Sequence, residues 1–358
     1  MRAYVIEALD MCAIRDDVEV LALGPLDVKI SIKAAGVCRS DLSVQTGKVP
    51  TGIPCVNGHE GAGIITEVGA EVRNRHVGQR VLIGQAQCGE CYYCSHQAPW
   101  FCETKDKAGV KAKFRLADGT LLGSHVGKGT WAEEILMPSN ATVPIPDGVP
   151  YDIASLIGCA VITGTGQVLN LARPEAGSSA IFFGGGGIGA CAVMGAKLVG
   201  CGQIVVVEPA RPKHEALRRF GATHVITPSE VPDAIAELTA GRGFDYSFEN
   251  VGRPETVRAA WDAARRDGTV VITGLGGAKG TVEFDLNELA RHGKRLLGNV
   301  GGGAVASRDY ARYCELYLLG KLDLDALITS RGTLDDLPGF LAALDDDPTV
   351  LRQVVEFE

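Results

Sequence analysis

The sequence predicts an α/β protein of two domains: an all-β, barrel-like front half, then a doubly wound parallel sheet, with a tail that returns to the first domain. Three observations carry this expectation. The chain has 358 residues, and at roughly 100–200 residues per domain that length suits two domains with at least one large core. The first 83 residues alternate apolar and polar positions in short runs broken by turns. From residue 153 onward an apolar strand, a glycine turn and an amphipathic helix recur, the texture of a parallel sheet covered on both faces.

The front strands are Arg2 to Ile6, Val28 to Ile32 (after a turn at Leu23-Gly24-Pro25), Gly61 to Gly69 and Gly78 to Ile83. Behind them come Ser179 to Phe183 with a helix from Gly187 to Gly200, Gln203 to Glu208 with Lys213 to Phe220, and His224 to Ile226 with Val231 to Thr239. Strands at Tyr246 to Glu249, Thr269 to Thr273 and Arg295 to Gly298 complete the sheet, and the tail reads as a helix at Asp309 to Leu319 and a strand at Gln353 to Phe357. Hydrophobic residues at 46% and charged ones at 22% exclude a disordered, collagenous or coiled-coil chain. The net charge of −8 argues against a nucleic-acid partner and favours a small-molecule one. Segments 153–172 and 176–196 lack charge over about 20 residues each, but both are interrupted by glycine or polar residues, so no membrane span is expected. No apolar signal core precedes Glu7, which points to the cytoplasm.

The run Gly184-Gly185-Gly186-Gly187-Ile188-Gly189 follows an apolar strand and opens a helix, and Glu208 ends the next strand 24 positions beyond Gly184. In that context G-x-G-x-x-G reads as a dinucleotide fingerprint. Gly184 permits the turn, Gly186 lets backbone approach the pyrophosphate, and Gly189 lets helix pack on strand. Glu208 favours NAD over NADP because a carboxylate accepts ribose hydroxyls and repels a 2′-phosphate, while Arg211 and Lys213 just beyond it soften that preference.

Eleven cysteines in a reducing compartment do not suggest a disulfide framework. Cys88, Cys91, Cys94 and Cys102 form C-x2-C-x2-C-x7-C, which suits a closed tetrahedral structural zinc. An iron–sulfur cluster is the alternative, but the usual C-x3-C-P continuation is missing. A dispersed group, Cys38, His59 and Cys159, supplies two thiolates and one imidazole, which would hold a zinc with its fourth position open to water or substrate, as in alcohol dehydrogenase, the type example of that ligand set.

With these motifs in hand, the chain resembles a zinc-dependent alcohol dehydrogenase of the medium-chain dehydrogenase/reductase superfamily over essentially all its length. The likeness rests on Gly36 to Asp41, Gly58 to Gly63, the Cys88 to Cys102 lobe, Cys159 with Thr163-Gly164, the glycine loop and Arg352. It implies a GroES-like catalytic domain at residues 1–160 and 301–358, a Rossmann NAD-binding domain at 161–300, two zinc ions per subunit, and NAD as cofactor, with the active site in the cleft between the domains. The reaction implied is hydride transfer between an alcohol and its aldehyde or ketone. Ser40 is then the hydroxyl that passes on the substrate's proton, Asp41 the carboxylate orienting His59, and Glu60 an acid near the zinc that assists ligand exchange or simply packs there. Arg39 and Arg352 pair with the pyrophosphate, Ile188 lies in the phosphate loop, Thr163 lies under the nicotinamide, and backbone at Thr273 to Leu275 holds its carboxamide.

Ser43 stands where many members carry the histidine that ends the proton relay. Gly84-Gln85-Ala86 replaces bulkier pocket residues, which suggests a roomier site for aromatic or terpenoid alcohols. The basic stretch Lys105, Lys107, Lys111, Lys113 and Arg115 reads as a solvated loop or as an attractor for an anionic or thiol-conjugated substrate. The connection from Cys102 to Trp131 resembles that of dimeric members, so a homodimer is expected, with a homotetramer the alternative. Competing readings are a formaldehyde-type dehydrogenase acting on a hemithioacetal, an enzyme that retains its nicotinamide tightly, and a noncatalytic zinc- and nucleotide-binding oligomer. A zinc-free reductase of the superfamily would lack both cysteine groups.

Overall fold

The computed structural model describes residues 1–104, 112–276 and 280–358. The chain forms two compact units, Met1–Cys159 with Val305–Gly320 and Ile328–Glu358, and Ala160–Ala304 with Lys321–Leu327.

The first unit is organised around the 11-residue strand Asp27–Val37. Val28, Ile30 and Ile32 are buried while the residues between them are partly exposed, the period of two expected of a strand with one covered face. From Ala34 to Val37 the strand is buried throughout. One of its edges is shared by Glu134–Pro138 and Arg352–Glu356, and Ala62–Val68 pairs along the other. Among the described residues this mixed sheet has seven strands, and a six-stranded sheet contains Ala3–Ala8. The tail joins the front half as expected, with Gln353 opposite Val37 in an antiparallel pair. Trp131 is fully buried in this core. Its Nε1 donates to the Gly36 carbonyl at 3.2 Å, and its ring meets Tyr4 edge-on at 5.6 Å.

The second unit is a six-stranded parallel sheet in the order His224–Ile226, Gln203–Val207, Ser179–Phe183, Phe244–Glu249, Ala264–Ile272, Arg295–Gly298. Strand order reverses beside Ser179–Phe183, and sheets of this kind bind ligands outside the carboxyl ends of the strands at that switch point. Three of these strands start and end where the sequence places them, at 179–183, 224–226 and 295–298. The fifth begins at Ala264 rather than Thr269. Arg265 is held extended by its pair with Asp245 at 2.7 Å, and the left-handed φ of 57° at Asp267 marks a bulge.

A helical run from Tyr151 to Ala172 is long and apolar enough to cross a membrane, but it is mostly buried within the protein. It contains π-helical stretches at Ile157–Val161 and Gln167–Ala172, which break the 3.6-residue period and hide the helix from sequence reading. The tail also carries a helix, Leu337–Asp346, that the sequence reading did not anticipate.

Two stability outcomes follow from these packings. Trp131→Ala is expected to cost about 3–5 kcal/mol in urea unfolding, and Trp131→Phe distinctly less. A Cβ on Gly189 would lie 1.9 Å from the Gly184 carbonyl oxygen, whereas one on Gly186 meets nothing within 4 Å. Gly189→Ala should therefore lower the melting temperature by several degrees in calorimetry, and Gly186→Ala should leave it near the wild-type value.

Candidate functional site

The first candidate metal-binding group is the cysteine lobe. Cys91 caps the short helix Tyr92–Ser95, and Cys102 ends a single turn at Pro99–Phe101. These turns bring the Sγ atoms of Cys88, Cys91, Cys94 and Cys102 within 4.8 Å of one another. Pairs lie at 3.9 Å (Cys88 and Cys94), 4.0 Å (Cys91 and Cys102) and 3.6 Å (Cys88 and Cys102). A tetrahedral zinc with bonds of about 2.3 Å needs sulfur edges of roughly 3.8 Å. The spacing therefore fits zinc. It also excludes disulfides in this arrangement, since a disulfide holds its sulfurs about 2.05 Å apart. Burial opposes ionisation of Cys102, yet hydrogen bonds from the Thr104 hydroxyl and the Cys88 and Thr104 N–H groups bring its pKa down to about 6.

The second group grows out of the central strand of the first unit. That strand ends at Val37, and the next residue, Cys38, is the N-cap of helix Arg39–Gln45. Asp41 sits three residues on and reaches back, its Oδ2 accepting from the Cys38 N–H at 3.0 Å in a capping-box arrangement. Its Oδ1 lies 2.6 Å from His59 Nδ1, which leaves His59 Nε2 facing the thiols, 3.2 Å from Cys159 Sγ. Cys159 is presented by the first π-helical stretch, a distortion often found at functional sites. Donor atoms of Cys38, His59, Glu60 and Cys159 all lie within 4.8 Å of one another. Ser40 Oγ stands 3.2 Å from Cys38 Sγ and 3.3 Å from His59 Nε2.

The electrostatics of this group suit a dication. Cys38 is drawn well below the ordinary thiol value by hydrogen bonding with Cys159, and by Arg352 and His59. Burial raises Glu60 to about 7 even with the Arg352 guanidinium beside it. His59 rises to about 10 against burial, because Asp41 and Cys38 stabilise its charged form. Glu60 Oε2 is buried and has no hydrogen-bond partner, an arrangement that costs free energy unless something positive faces it. A Cβ on Gly36 would lie 2.0 Å from that oxygen, so the glycine is what makes room for the carboxylate.

The glycine loop lies in the second unit, at the carboxyl end of Ser179–Phe183. Gly184 has φ 94°, the left-handed turn that glycine accommodates. Gly186 caps the 13-residue helix Gly187–Val199, whose first-turn N–H groups, those of Gly187, Ile188 and Gly189, receive no side-chain cap. That is the geometry in which a helix start receives phosphate. Glu208 is buried, its Oε2 accepting from the Gly185 N–H at 2.8 Å and its Oε1 from Ala210 N–H at 2.9 Å. Lys213 is partly exposed in the turn Arg211–Lys213. The Thr163 carbonyl accepts from Asn299 Nδ2 at 3.2 Å, and a Cβ on the neighbouring Gly164 would lie 2.3 Å from the Ile188 carbonyl, so this helix packs directly on the loop helix. Thr273 Oγ1 donates to Gln167 Oε1 at 2.8 Å.

The structure gives several of the expected residues other partners. Arg352, expected at the pyrophosphate, is 4% exposed and donates to Glu60 Oε1, because its strand delivers it into the buried metal group. Arg39, expected at the same phosphates, reaches over the surface to Asp345 at 2.5 Å and to the Leu344 carbonyl. The space opened by Gly84 is not free: a Cβ there would lie 3.0 Å from the Tyr310 ring, and the Tyr310 hydroxyl accepts from the Gln85 N–H at 3.0 Å. Of the basic stretch, Lys105, Lys107 and Lys111 lie outside the described residues. Lys113 is not a solvated charge, since its Nζ donates to the carbonyls of Gly127 and Leu136, and Arg115 pairs with Glu19 at 2.7 Å. Ser43 Oγ donates to the Arg39 carbonyl at 3.1 Å.

Sequence reasoning missed three residues. His125 Nδ1 also contacts Asp41 Oδ1, at 2.9 Å; Lys128 Nζ donates to the His59 carbonyl at 3.0 Å; and Tyr310 fills the gap at Gly84. The available signal was a histidine and a lysine set among small residues in Ser124-His125-Val126-Gly127-Lys128-Gly129, a pattern without a distinctive period.

Residues 24–147 match the alcohol dehydrogenase GroES-like domain family, and residues 187–318 match the zinc-binding dehydrogenase family. A Mycobacterium tuberculosis protein named "Putative alcohol dehydrogenase D" is 36% identical over 324 residues, 88% of each chain. The S-(hydroxymethyl)glutathione dehydrogenase of Paracoccus denitrificans is 30% identical over 357 residues, covering 94% of this chain and 95% of its own. Among solved structures, benzyl alcohol dehydrogenase from Acinetobacter calcoaceticus is 26% identical and superimposes with a TM-score of 0.91, covering 100% of this chain and 99% of its own. The barrel-like half is thus a GroES-like domain and the parallel sheet a Rossmann-type one, and the chain belongs to the zinc-dependent alcohol dehydrogenases of the medium-chain dehydrogenase/reductase superfamily.

Proposed function

We propose that the protein is an NAD-linked alcohol dehydrogenase that interconverts an alcohol and its aldehyde or ketone. The observation that carries this reading is the convergence of Cys38, His59 and Cys159 to within 4.8 Å, with the Ser40 hydroxyl 3.2–3.3 Å from two of their donor atoms. Cys38, His59 and Cys159 would hold one zinc, and Cys88, Cys91, Cys94 and Cys102 the other. When bound, the catalytic zinc supplies a Lewis acid that makes a hydroxyl more acidic, and the nicotinamide supplies the hydride acceptor. Ser40 Oγ would accept the proton that the substrate hydroxyl gives up while passing its own hydroxyl proton on to solvent, which its partly exposed position allows. Asp41 keeps the proton of His59 on Nδ1, so that Nε2 presents its lone pair to the metal. Glu60 and Arg352 form a buried ion pair beside the metal ligands, and the free Oε2 of Glu60 offers a fourth donor within reach. Glu208, fixed by two backbone N–H groups, supports NAD over NADP, as Lys213 and Arg211 are not tied to it.

A second reading is favoured by two relatives, the alcohol dehydrogenase class-3 of Cereibacter sphaeroides at 31% identity and the Paracoccus enzyme at 30%. It has a hemithioacetal, formed from formaldehyde and a small thiol, as the alcohol. With Tyr310 closing the gap at Gly84, the ground for terpenoid substrates weakens; benzyl alcohol and hemithioacetals belong in the first panel.

A homodimer is part of this reading. Arg295–Gly298 is the edge strand of the parallel sheet, with Leu296 47% exposed, and Leu286 on the adjoining helix is 80% exposed. An open apolar edge of this kind is normally covered, and a second copy supplies matching hydrogen-bond donors and acceptors.

Purified protein should contain two zinc per chain by elemental analysis and reduce NAD in the presence of an alcohol. Cys159→Ala should retain one zinc and the wild-type circular dichroism spectrum, with kcat lowered at least 10³-fold. Turnover that appears only when a thiol is added with formaldehyde selects the second reading; no turnover with any alcohol, with or without thiol, contradicts both. Leu296→Glu should halve the mass measured by light scattering if the edge strand forms the dimer.

A further inference from the structure

The turn Ser124–Thr130 takes no part in the steps above, yet two of its side chains bear on the histidine that faces the thiols. We propose that His125 is a positioning residue: by sharing the Asp41 carboxylate with His59, it fixes the direction in which His59 Nε2 points. The inference rests on the reading that Cys38, His59 and Cys159 hold zinc.

Asp41 is fully buried and makes three side-chain contacts with hydrogen-bond donors of other residues. Oδ2 accepts from the Cys38 N–H at 3.0 Å, and Oδ1 lies 2.6 Å from His59 Nδ1 and 2.9 Å from His125 Nδ1. With only the first two partners the carboxylate is free to swing within the arc that both bonds tolerate, and His59 would swing with it. The third contact, arriving from a different segment, removes that freedom. The imidazoles also touch directly, with ring centroids 4.9 Å apart at an interplanar angle of 64°. From the same turn, Lys128 Nζ donates to the His59 carbonyl at 3.0 Å, so ring and backbone of His59 are braced by neighbouring residues of one short segment.

The backbone of the turn provides an independent observation. Val126 has φ 43° and ψ 34°, and Gly127 and Gly129 have φ 74° and 70°. A β-branched residue in the left-handed region persists only where its surroundings over-determine it. Val126 is itself 54% exposed, so its own packing does not hold it there. Its buried neighbours on either side, His125 and Lys128, are the anchored points.

The test uses the full chain loaded with zinc and challenged with increasing chelator, with bound zinc counted after gel filtration. H125N keeps an N–H donor near the position of Nδ1, whereas H125F keeps a planar ring and loses the donor. The wild type and H125N should both hold two zinc, while H125F gives up one of them at a chelator concentration about 10–100-fold lower and keeps the other. The proposal is overturned if H125F holds both zinc ions as firmly as the wild type, or if H125N loses one as readily as H125F. A wild type that binds only one zinc overturns the underlying metal assignment instead. Should H125F not fold, nitrogen-15 spectra of the zinc-loaded wild type still decide: two protected Nδ1 protons are expected, one of which disappears in H125N, and finding only one in the wild type rejects the proposal.

Discussion

Cys38, Asp41, Glu60 and Cys159 put two thiols and two carboxylates in one buried neighbourhood, and among the described residues Arg352 and Lys128 are the buried arginine and lysine set against them. With both thiols ionised and the histidines neutral, as metal ligation by His59 requires, the group carries four negative charges and two positive ones. Burying such an imbalance is costly, because the interior cannot solvate charge as water does. A dication makes the group neutral. Metal binding and the local fold are then linked, since the ligands must be deprotonated and held together for either to be favourable. The surrounding features serve this constraint: Gly36 clears the space for Glu60, the π-helical stretch turns Cys159 inward, and the capping carboxylate of Asp41 orients His59.

Much of this was legible in the sequence because its signals are local. The glycine loop, the four clustered cysteines and the short apolar strands each reveal themselves within about fifteen residues, where backbone conformation and spacing decide the outcome. Cys38 with Asp41 is also local, as N-cap and third helical residue. The rest depends on contacts between distant segments. Arg352 lies 292 positions from Glu60 and Tyr310 lies 225 from Gln85, and a hydrophobic pattern cannot announce such a partner. The helix containing Cys159 was hidden for a different reason, since π-helical stretches shift the period on which helix recognition relies.

The two units carry different kinds of constraint. In the Rossmann-type unit the glycine loop is made by absence: Gly184 adopts a turn that side chains resist, and Gly189 permits a backbone approach that any Cβ would prevent. In the GroES-like unit the candidate metal group is made by presence, a dense set of polar side chains held by specific neighbours, with Glu60 Oε2 left without a partner. Loops of the first kind tolerate few substitutions but are recognisable in many proteins. Clusters of the second kind leave room for variation around the ligands, as His125 and Lys128 illustrate here.

The most direct test of the central claim is zinc K-edge X-ray absorption on the fully loaded protein. One all-sulfur site and one site with two sulfurs and two lighter donors predict an average shell of about three sulfurs near 2.3 Å and one nitrogen or oxygen near 2.0–2.1 Å per zinc. A shell of four sulfurs with no lighter donor would contradict it, because His59 and the dispersed cysteines would then hold no metal.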